Sequence, residues 1–422
     1  MRFLFDLDHW QEIKIALLRN RLRTTLTAFG IFWGIFLLMV MLGSGAGLRN
    51  GVMRGFEGGA TNSFFLWSQR TQKPYAGMPA GRRPQLTNAD VQAIRDKVPA
   101  VEVVAPRNQL GGFAGGNNVT RGRKAGAFSV MGDYPEIQRI QSFKIESGRF
   151  LSPLDLEDNR KVAVIGTRVR DVLFERGEDP IGRAIVIQGV YFQVVGVFRS
   201  VQMGDDADRD AQTLFVPFTT FQRAFNFGER VGWLAVISKP HIPASKAEES
   251  VLTLLKSRHK VAPDDLRAFG HFNLEDEYNK VQGLFTGIRV LVWLVGIGTL
   301  AAGAIGVSNI MLIIVKERTK EIGIRRAIGA KPPAVVAQIV LEAVILTAVA
   351  GYVGMVGGIA VMELVKKLLP PGDGSRMFTN PDVGVSEALQ ALAILVAAGV
   401  MAGLAPAQRA LQVSPTVALR SE

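Results

Sequence analysis

The sequence contains no cysteine and only four histidines among its 422 residues. Without cysteine, the chain forms no disulfide bond and offers no thiolate to a metal ion or to a nucleophilic reaction. The four histidines, His9, His241, His259 and His271, lie in no HExxH pattern, the spacing that places two zinc ligands on one helix face. These absences exclude disulfide-stapled proteins, thiol enzymes and the common zinc hydrolases.

A phosphate-binding loop is absent as well. No stretch fits G-x-x-x-x-G-K-[ST], the pattern whose backbone amides hold nucleotide phosphates. The chain is therefore predicted not to be a P-loop ATPase, and we expect it to be no enzyme. No catalytic residue, metal site or cofactor is predicted in it.

Charged residues make up only 20% of the chain, and four runs lack them altogether. The runs cover residues 24–48, 290–315, 343–362 and 388–408. A helix needs about 20 apolar residues to cross the hydrocarbon core of a bilayer. The sequence therefore predicts four transmembrane helices, none of which carries a charged group at its centre for a proton relay.

The net charge of +12 would by itself suggest a polyanion as partner, but the basic residues are unevenly spread. Residues 1–23, 316–331 and 409–422 hold 13 lysines and arginines in 53 positions, whereas residues 49–289 hold 33 in 241. A high basic density in short segments beside membrane spans is typical of the cytoplasmic side. We expect membrane lipid rather than nucleic acid as a partner.

The region between the first two predicted spans has the pattern of a mixed domain. Short β-branched or aromatic runs such as KVAVIG and FQVVGVF alternate with helical stretches such as LTNADVQAIRDKV. The predicted fold class is an α-helical membrane protein with four transmembrane helices and an α+β extracytoplasmic domain inserted between the first and second spans.

The predicted organisation places both termini in the cytoplasm. The predicted boundaries are a cytoplasmic amphipathic helix over 1–23, spans over 24–48, 283–315, 334–362 and 387–408, a periplasmic domain with stalk helices over 49–282, a cytoplasmic loop over 316–333, a short periplasmic loop over 363–386, and a cytoplasmic tail over 409–422. Small residues at a spacing of four, as in Gly354 and Gly358, predict close helix contacts in the membrane.

The loop between the second and third spans, KERTKEIGIRRAIGAK, carries the strongest local pattern. Glu321 and Arg325 stand at i and i+4 in the favourable order, and Ile324 and Ile328 form an apolar stripe. Gly329 is placed to end the helix. The pattern predicts a short two-faced helix that packs against a partner and moves both neighbouring spans together.

Several segments resemble the MacB/FtsX superfamily, the four-span permease subunits of type VII ABC transporters. The most specific is ERTKEIGIRRAIGA, within NIMLIIVKERTKEIGIRRAIGAKPPAVVAQIVLEAV. The stretches FKIESGRF, RKVAVIG, DPIGRAIVIQGVYFQVVGVF and TLFVPFTTFQ are similar to the MacB-like periplasmic core domain of that family. The resemblance covers nearly the whole chain in order.

The resemblance implies that the loop over 316–333 is a coupling loop, whose helix docks on an ABC ATPase. The residues it assigns to that contact are Glu317, Arg318, Thr319, Glu321, Ile322, Gly323, Arg325, Arg326, Gly329 and Ala330. Because this sequence has no nucleotide-binding segment, we expect a separate ATPase subunit to bind ATP and Mg. Two ATPases working as a pair imply a permease dimer, either homomeric or heteromeric.

The function implied is that of an ABC transporter permease in the bacterial inner membrane, which couples ATP hydrolysis to a periplasmic conformational change for efflux. Two alternatives stay open: a lipoprotein-releasing permease, and a signalling or regulatory subunit of the FtsX type. The candidate further partners are a periplasmic adaptor, an outer-membrane channel and a lipoprotein carrier. Sequence does not identify the substrate.

Overall fold

The computed structural model describes residues 21–56, 59–110, 117–141, 143–201, 205–368 and 378–412. The chain divides into a helical unit, formed by Met1–Val52, Leu284–Gly372 and Met377–Glu422, and a mixed unit, formed by Met53–Gly283 and Asp373–Arg376. The predicted amphipathic helix lies, up to residue 20, outside the described residues, as does the predicted tail beyond residue 412.

The described helices fall into a long apolar class and a short class. They are α1 (Arg21–Met53), α2 (Asn88–Lys97), α3 (Pro153–Glu157), α4 (Thr167–Leu173), α5 (Asp205–Ala211), α6 (Phe218–Ala224), α7 (Ala244–Arg258), α8 (Leu274–Glu317), α9 (Thr319–Ala327), α10 (Pro332–Leu368) and α11 (Val385–Leu411).

Four of these helices, α1, α8, α10 and α11, are long and apolar enough to cross a membrane. They contain 33, 44, 37 and 27 residues, more than the about 20 that a span needs. Each helix is longer than the span predicted from the sequence. Charged residues at a membrane surface end an apolar run, but they do not end the helix. The second starts at Leu274, where the side chain of Asn273 accepts hydrogen bonds from the backbone N–H groups of Glu275 and Asp276.

Glycines bring the helices of the helical unit close together. A Cβ atom added at Gly358 of α10 would lie 2.6 Å from Cβ of Met39 and 3.0 Å from the Phe36 carbonyl oxygen, both on α1. On α11, a Cβ at Gly403 would lie 2.8 Å from Cα of Val340. Since apolar lipid gives helices no hydrophobic drive to associate, such backbone-to-helix packing supplies the contact energy.

Ala302 and Gly306 of α8 have the same spacing of four but do not pack in the same way. Ala302 is exposed, and a Cβ at Gly306 would meet only a methyl group at 3.4 Å. The neighbouring Gly303 makes the close approach instead, to Ile31. The spacing of small residues alone therefore does not tell which residue of a helix makes the close contact.

The strands of the mixed unit belong to one connected sheet system. They are β1 (Ser63–Ser68), β2 (Val101–Leu110), β3 (Asn117–Arg121), β4 (Lys124–Asp133), β5 (Phe143–Gly148), β6 (Val162–Gly166), β7 (Ala184–Ile187), β8 (Val190–Ser200), β9 (Thr213–Pro217), β10 (Trp233–Ser238) and β11 (Phe269–Asn273).

Strand pairing separates this system into two parts. The order β11-β1-β10-β2 forms a four-stranded antiparallel sheet. The order β4-β3-β7-β8-β6-β9 closes into a barrel, because β9 pairs with β4 in parallel. Strand β2 joins the two parts by pairing with β4, and β5 pairs with β8. Together with the apolar helices, this confirms an α+β domain inserted between the first and second long helices.

Each part has its own apolar core. Phe64, Leu66 and Leu234 of the four-stranded sheet pack with Val91 of α2 and Val251 of α7. The barrel encloses a second core, and α4 and α6 contribute to it; its buried members include Val119, Val130, Ile165, Ile185, Val194, Leu214 and Phe221.

A segment rich in glycine and basic residues is partly a hairpin. Residues 110–124, LGGFAGGNNVTRGRK, have the composition of a solvated loop. Instead Asn117–Arg121 forms β3, and Gly122, with φ of +58°, turns the chain into β4. The composition misleads because closure of the barrel stabilises a strand of weak intrinsic preference. Residues 111–116 lie outside the described part of the chain.

A test of the glycine packing compares two alanine substitutions. Gly358→Ala should lower the stability of the protein by about 1–3 kcal/mol, the usual cost of overpacking, since the new methyl group overlaps Met39. Gly298→Ala on α8 should leave stability unchanged or raise it slightly, because nothing lies within 4 Å of its added Cβ. Thermal unfolding of the two variants in the same detergent measures the difference, and equal midpoints would contradict the close packing.

Candidate functional site

The short helix α9 begins where the chain leaves α8. Arg318 separates the two helices, with φ of −93° and ψ of 12°, outside the geometry of a regular α-helix. The Thr319 hydroxyl donates to the backbone carbonyl groups of Val315, at 3.2 Å, and Lys316, at 2.7 Å. These bonds occupy carbonyl groups in the last turn of α8, where no further helical N–H is available. The chain therefore bends at Arg318 without leaving that end unpaired.

The other end of α9 closes with a Schellman motif. The Ala330 N–H donates to the Arg325 carbonyl at 3.0 Å, and the Gly329 N–H donates to the Arg326 carbonyl at 3.1 Å. Gly329 has φ of +106°, a conformation that residues with a Cβ rarely adopt. Pro332 then occupies the first turn of α10, where its missing N–H costs nothing. The sequence prediction that Gly329 ends the helix agrees with this geometry.

A network of charged side chains lies between α9 and α10. Arg318 binds both oxygens of Glu321, at 3.0 and 3.1 Å, and Oε1 of Glu342 at 3.1 Å. Arg325 binds Glu321 at 3.0 Å and the Gln338 side-chain oxygen at 3.1 Å. Two cations thus face two anions, so the cluster carries no net formal charge.

Hydrogen bonds and neighbouring charges keep Arg318 and Glu321 ionised. Burial alone would lower the pKa of Arg318, but the hydrogen bond to Glu321 and the charge of Glu342 raise it above its ordinary value. The hydrogen bond from Arg318 in turn lowers the pKa of Glu321. The side chain of Glu342 is only 6% exposed. Losing one partner would leave a poorly solvated charge, so the network resists separation of α9 from α10.

A second connection ties α9 to the end of α11. Arg326 donates from Nη1 to the Leu411 carbonyl at 2.8 Å. Gly323 is buried, and Ile322 packs against the apolar core of the helical unit. The inner face of α9 is therefore attached to α10 and α11, while its N-terminus continues from α8.

The outer face of α9 is apolar and unpacked within the described residues. Ile324 is 39% exposed and Ile328 is 82% exposed. Lys320 and Ala327 are also exposed, and the four residues follow the i, i+4, i+7, i+8 spacing of one helix face. We call Lys320, Ile324, Ala327 and Ile328 the outer face.

The ten residues that the resemblance assigned to an ATPase contact have different surroundings in the structure. Those turned toward the protein are Arg318, Glu321, Ile322, Gly323, Arg325 and Arg326. Thr319 caps the end of α8, Gly329 and Ala330 form the C-terminal turn, and Glu317 is exposed.

Sequence reasoning omitted two features of this site. It identified the stripe of Ile324 and Ile328 but left both out of the assigned contacts. It also assigned no role to Glu342, which is the anion that anchors Arg318. A glutamate inside an otherwise apolar helix was the available signal, since such a residue needs a charged partner.

The ion-pair network can be tested with an isosteric change. Glu342→Gln should destabilise the protein by about 1–3 kcal/mol, since a neutral amide replaces a charge-assisted bond and leaves the buried cluster with a net positive charge. Glu363→Gln, at an exposed carboxylate of the same helix, is the matched control. Thermal unfolding in detergent provides the measurement, extended to a double-mutant cycle with Arg318→Gln. Strict additivity of the two changes would show that Arg318 and Glu342 do not interact.

Two family models together match most of the chain. Residues 24–254 match the MacB-like periplasmic core domain, and residues 293–415 match the FtsX-like permease C-terminal domain. The second match contains α9 and the outer face. The two matched ranges follow the same order as the segments quoted from the sequence.

Curated relatives are similar over nearly the whole chain. The pyoverdine export ATP-binding/permease protein PvdT of Pseudomonas entomophila is 31% identical over 96% of this chain and 58% of that protein. The macrolide export ATP-binding/permease protein MacB of Bdellovibrio bacteriovorus is 28% identical over 99% of this chain and 62% of that protein. The chain thus spans about three-fifths of the length of these relatives and corresponds to their permease part.

Among solved structures, the periplasmic region of MacB from Actinobacillus actinomycetemcomitans aligns with 54% of this chain and 95% of its own, with 19% identity and a TM-score of 0.42. The family matches stand without that likeness, because one model alone covers more than half of the residues. The chain belongs to the MacB/FtsX-type ABC transporter permeases, with a MacB-like periplasmic core domain and an FtsX-like permease domain.

Proposed function

We propose that this chain couples ATP hydrolysis by an ABC-type ATPase subunit to conformational change in its periplasmic domain, and that it thereby drives export. The observation that carries the proposal is the outer face of α9. It is an exposed apolar surface on a short helix whose inner face is fixed to the membrane helices. A soluble ATPase that covers Ile324 and Ile328 would bury apolar area otherwise exposed to water.

The connections of α9 favour transmission of force rather than simple attachment. The helix continues from α8 through Arg318, holds α10 through Glu342, and holds α11 through the bond from Arg326 to Leu411. A push on the outer face would therefore reach three of the four long helices. Since the ion pair is poorly solvated, moving α8 and α10 together costs less than pulling them apart.

The ATPase, rather than this chain, would bind ATP and Mg. ABC-type ATPases acting as a pair would need two such docking helices, which favours a permease dimer of two copies or of two related chains. Export is supported by the similarity to proteins that are named for macrolide and pyoverdine export. The substrate of this chain is a separate question from the coupling role.

The charge distribution supports an orientation for this proposal. In the bacterial inner membrane, the basic segments 316–331 and 409–422 would face the cytoplasm, together with the N-terminus. The outer face of α9 would then meet a cytoplasmic ATPase. The MacB-like domain would lie in the periplasm.

Docking can be tested by cross-linking from a single introduced thiol, because the chain has no native cysteine. Ile328→Cys, carrying a photoactivatable maleimide, should cross-link in native membranes to a polypeptide that mass spectrometry identifies as an ABC-type ATPase. Leu368→Cys is the matched control, since Leu368 is similarly exposed, at 73%, but lies at the far end of α10. Equal ATPase capture from both positions, or none from Ile328→Cys, would contradict the docking role.

The same two thiols test the orientation. The 37 residues of α10 span about 55 Å at 1.5 Å per residue, so its ends emerge on opposite sides of a membrane. In cells with a permeabilised outer membrane, a membrane-impermeant maleimide should label Leu368→Cys at once. Ile328→Cys should be labelled only after the inner membrane is opened. The reverse order would place α9 outside the cytoplasm.

A further inference from the structure

A cleft of about 1010 Å³ lies within the mixed unit, between the four-stranded sheet and the outside of the barrel. One wall comes from β1, β10 and β11, and the other from β4 and β9. Its volume is at the upper end of the range that holds drug-sized molecules. The cleft belongs to a different unit from α9.

The sheet wall is aromatic because successive side chains of a strand point to opposite faces. Phe64 and Leu66 of β1 are buried in the core beneath α2 and α7, so Phe65 and Trp67 face the cleft. Strand pairing sets Trp67 opposite Trp233 of β10. Phe272 of β11 stands opposite Phe65 in the same way. Four aromatic side chains therefore share one half-exposed surface.

Glycine shapes this wall at one position. A Cβ atom at Gly270 of β11 would lie 2.5 Å from Cε2 of Trp67. The absence of a side chain there lets the indole lie against the backbone of the neighbouring strand. The position of Trp67 in the aromatic wall of the cleft depends on that contact.

Apart from Phe215 of β9, the barrel wall is lined mostly by smaller side chains. Ala127, Ser129 and Met131 alternate along β4, and Thr213 of β9 pairs with Ser129. Ala127 is exposed. Small residues such as Ala127 and Ser129 therefore contribute to one wall, and large aromatic residues form the other.

Positive charge outweighs negative charge around the cleft. Arg83, Arg107 and Arg209 line it together with one carboxylate, Asp210. Asp210 already accepts hydrogen bonds from the Gln141 amide at 2.9 Å and the Ser200 hydroxyl at 2.6 Å.

Two of these arginines, Arg107 and Arg83, differ in their surroundings. Arg107 binds the buried Asp133 through two bonds of 2.6 and 2.9 Å, and its guanidinium lies 5.6 Å from the centre of the Trp233 ring. Arg83 is exposed and donates from Nε to the Ser68 carbonyl at 2.9 Å. Among the described residues, Arg83 has no carboxylate partner. Its charge is therefore more available to a ligand than that of Arg107.

We propose that this cleft binds a small aromatic anion. The planar ring would stack among Trp67, Trp233 and Phe272, where offset contacts between rings are favourable. The acidic group would pair with guanidinium donors, of which Arg83 is more available than Arg107. Binding of this kind needs neither an ATPase nor ATP, so it stands apart from the proposed coupling role.

The test uses the full chain in phosphatidylcholine nanodiscs, with naphthalene-2-sulfonate as the probe and isothermal titration as the measurement. Heat from empty nanodiscs is subtracted. The sulfonate should bind in a saturable way, and 2-naphthylmethylammonium, with the same ring and the opposite charge, should bind at least about tenfold more weakly, an easily resolved difference. Equal binding of the two probes, or no saturable binding of the sulfonate, would overturn the proposal.

Two variants of one strand locate the site. Ala127→Trp narrows the cleft and should weaken sulfonate binding by about tenfold or more. Ala125→Trp places the same side chain two residues away on β4, at an exposed position outside the cleft lining, and should leave binding unchanged. Because both variants add an indole to an exposed position, equal folding is expected and is checked by thermal unfolding.

The charge contribution is isolated by Arg83→Gln. That change should weaken binding of the sulfonate while leaving binding of the uncharged 2-naphthylmethanol unaltered, a split that general damage to the cleft would not produce. Binding that survives Ala127→Trp, or that falls equally in Ala125→Trp, would show that the sulfonate binds elsewhere.

Discussion

The contact between Arg318 and Glu342 sets the geometry of the helical unit at the proposed cytoplasmic end. It places a guanidinium at the bend between α8 and α9 and fixes it to a carboxylate of α10. An arginine suits this position because its planar group binds Glu321 with two bonds and still reaches Glu342. The orientation of α9, and with it the exposure of Ile324 and Ile328, depends on this network.

Farther along α10 and α11, the helices are held by close packing at glycines rather than by ion pairs. Gly358 lets α10 approach the backbone of α1, and Gly403 lets α11 approach α10. The ion pairs near α9 and the glycine contacts along the long helices have a common physical basis. In lipid, helices gain little from burying apolar side chains, so their association rests on van der Waals contact and on polar bonds. Together these contacts make the bundle suited to moving as a connected body.

Much of the fold is readable in the sequence because its signals are strong. Four charge-free runs predict the long helices, and β-branched runs such as KVAVIG predict β6. Strands β3, β4, β5 and β11 were not predicted. Strand β4 contains Ala125, Gly126 and Ala127 in succession, residues of low strand preference, and it is held by pairing with β2, β3 and β9. Such pairing joins residues far apart in the chain, which local preference does not reveal.

The sequence alone determined the membrane character of the protein, its family resemblance and the presence of a short helix ended by Gly329. Periodicity also set Ile324 and Ile328 on one face. Only the tertiary structure decided which face of α9 is held and which is exposed, because the partners Glu342 and Leu411 come from other helices. Likewise, Trp67 and Trp233 lie side by side on one wall of the cleft only because strand pairing joins β1 and β10. Local sequence patterns determine where helices and strands form. Burial and charge pairing between distant segments determine which side chains are exposed on the outer face of α9 and in the cleft.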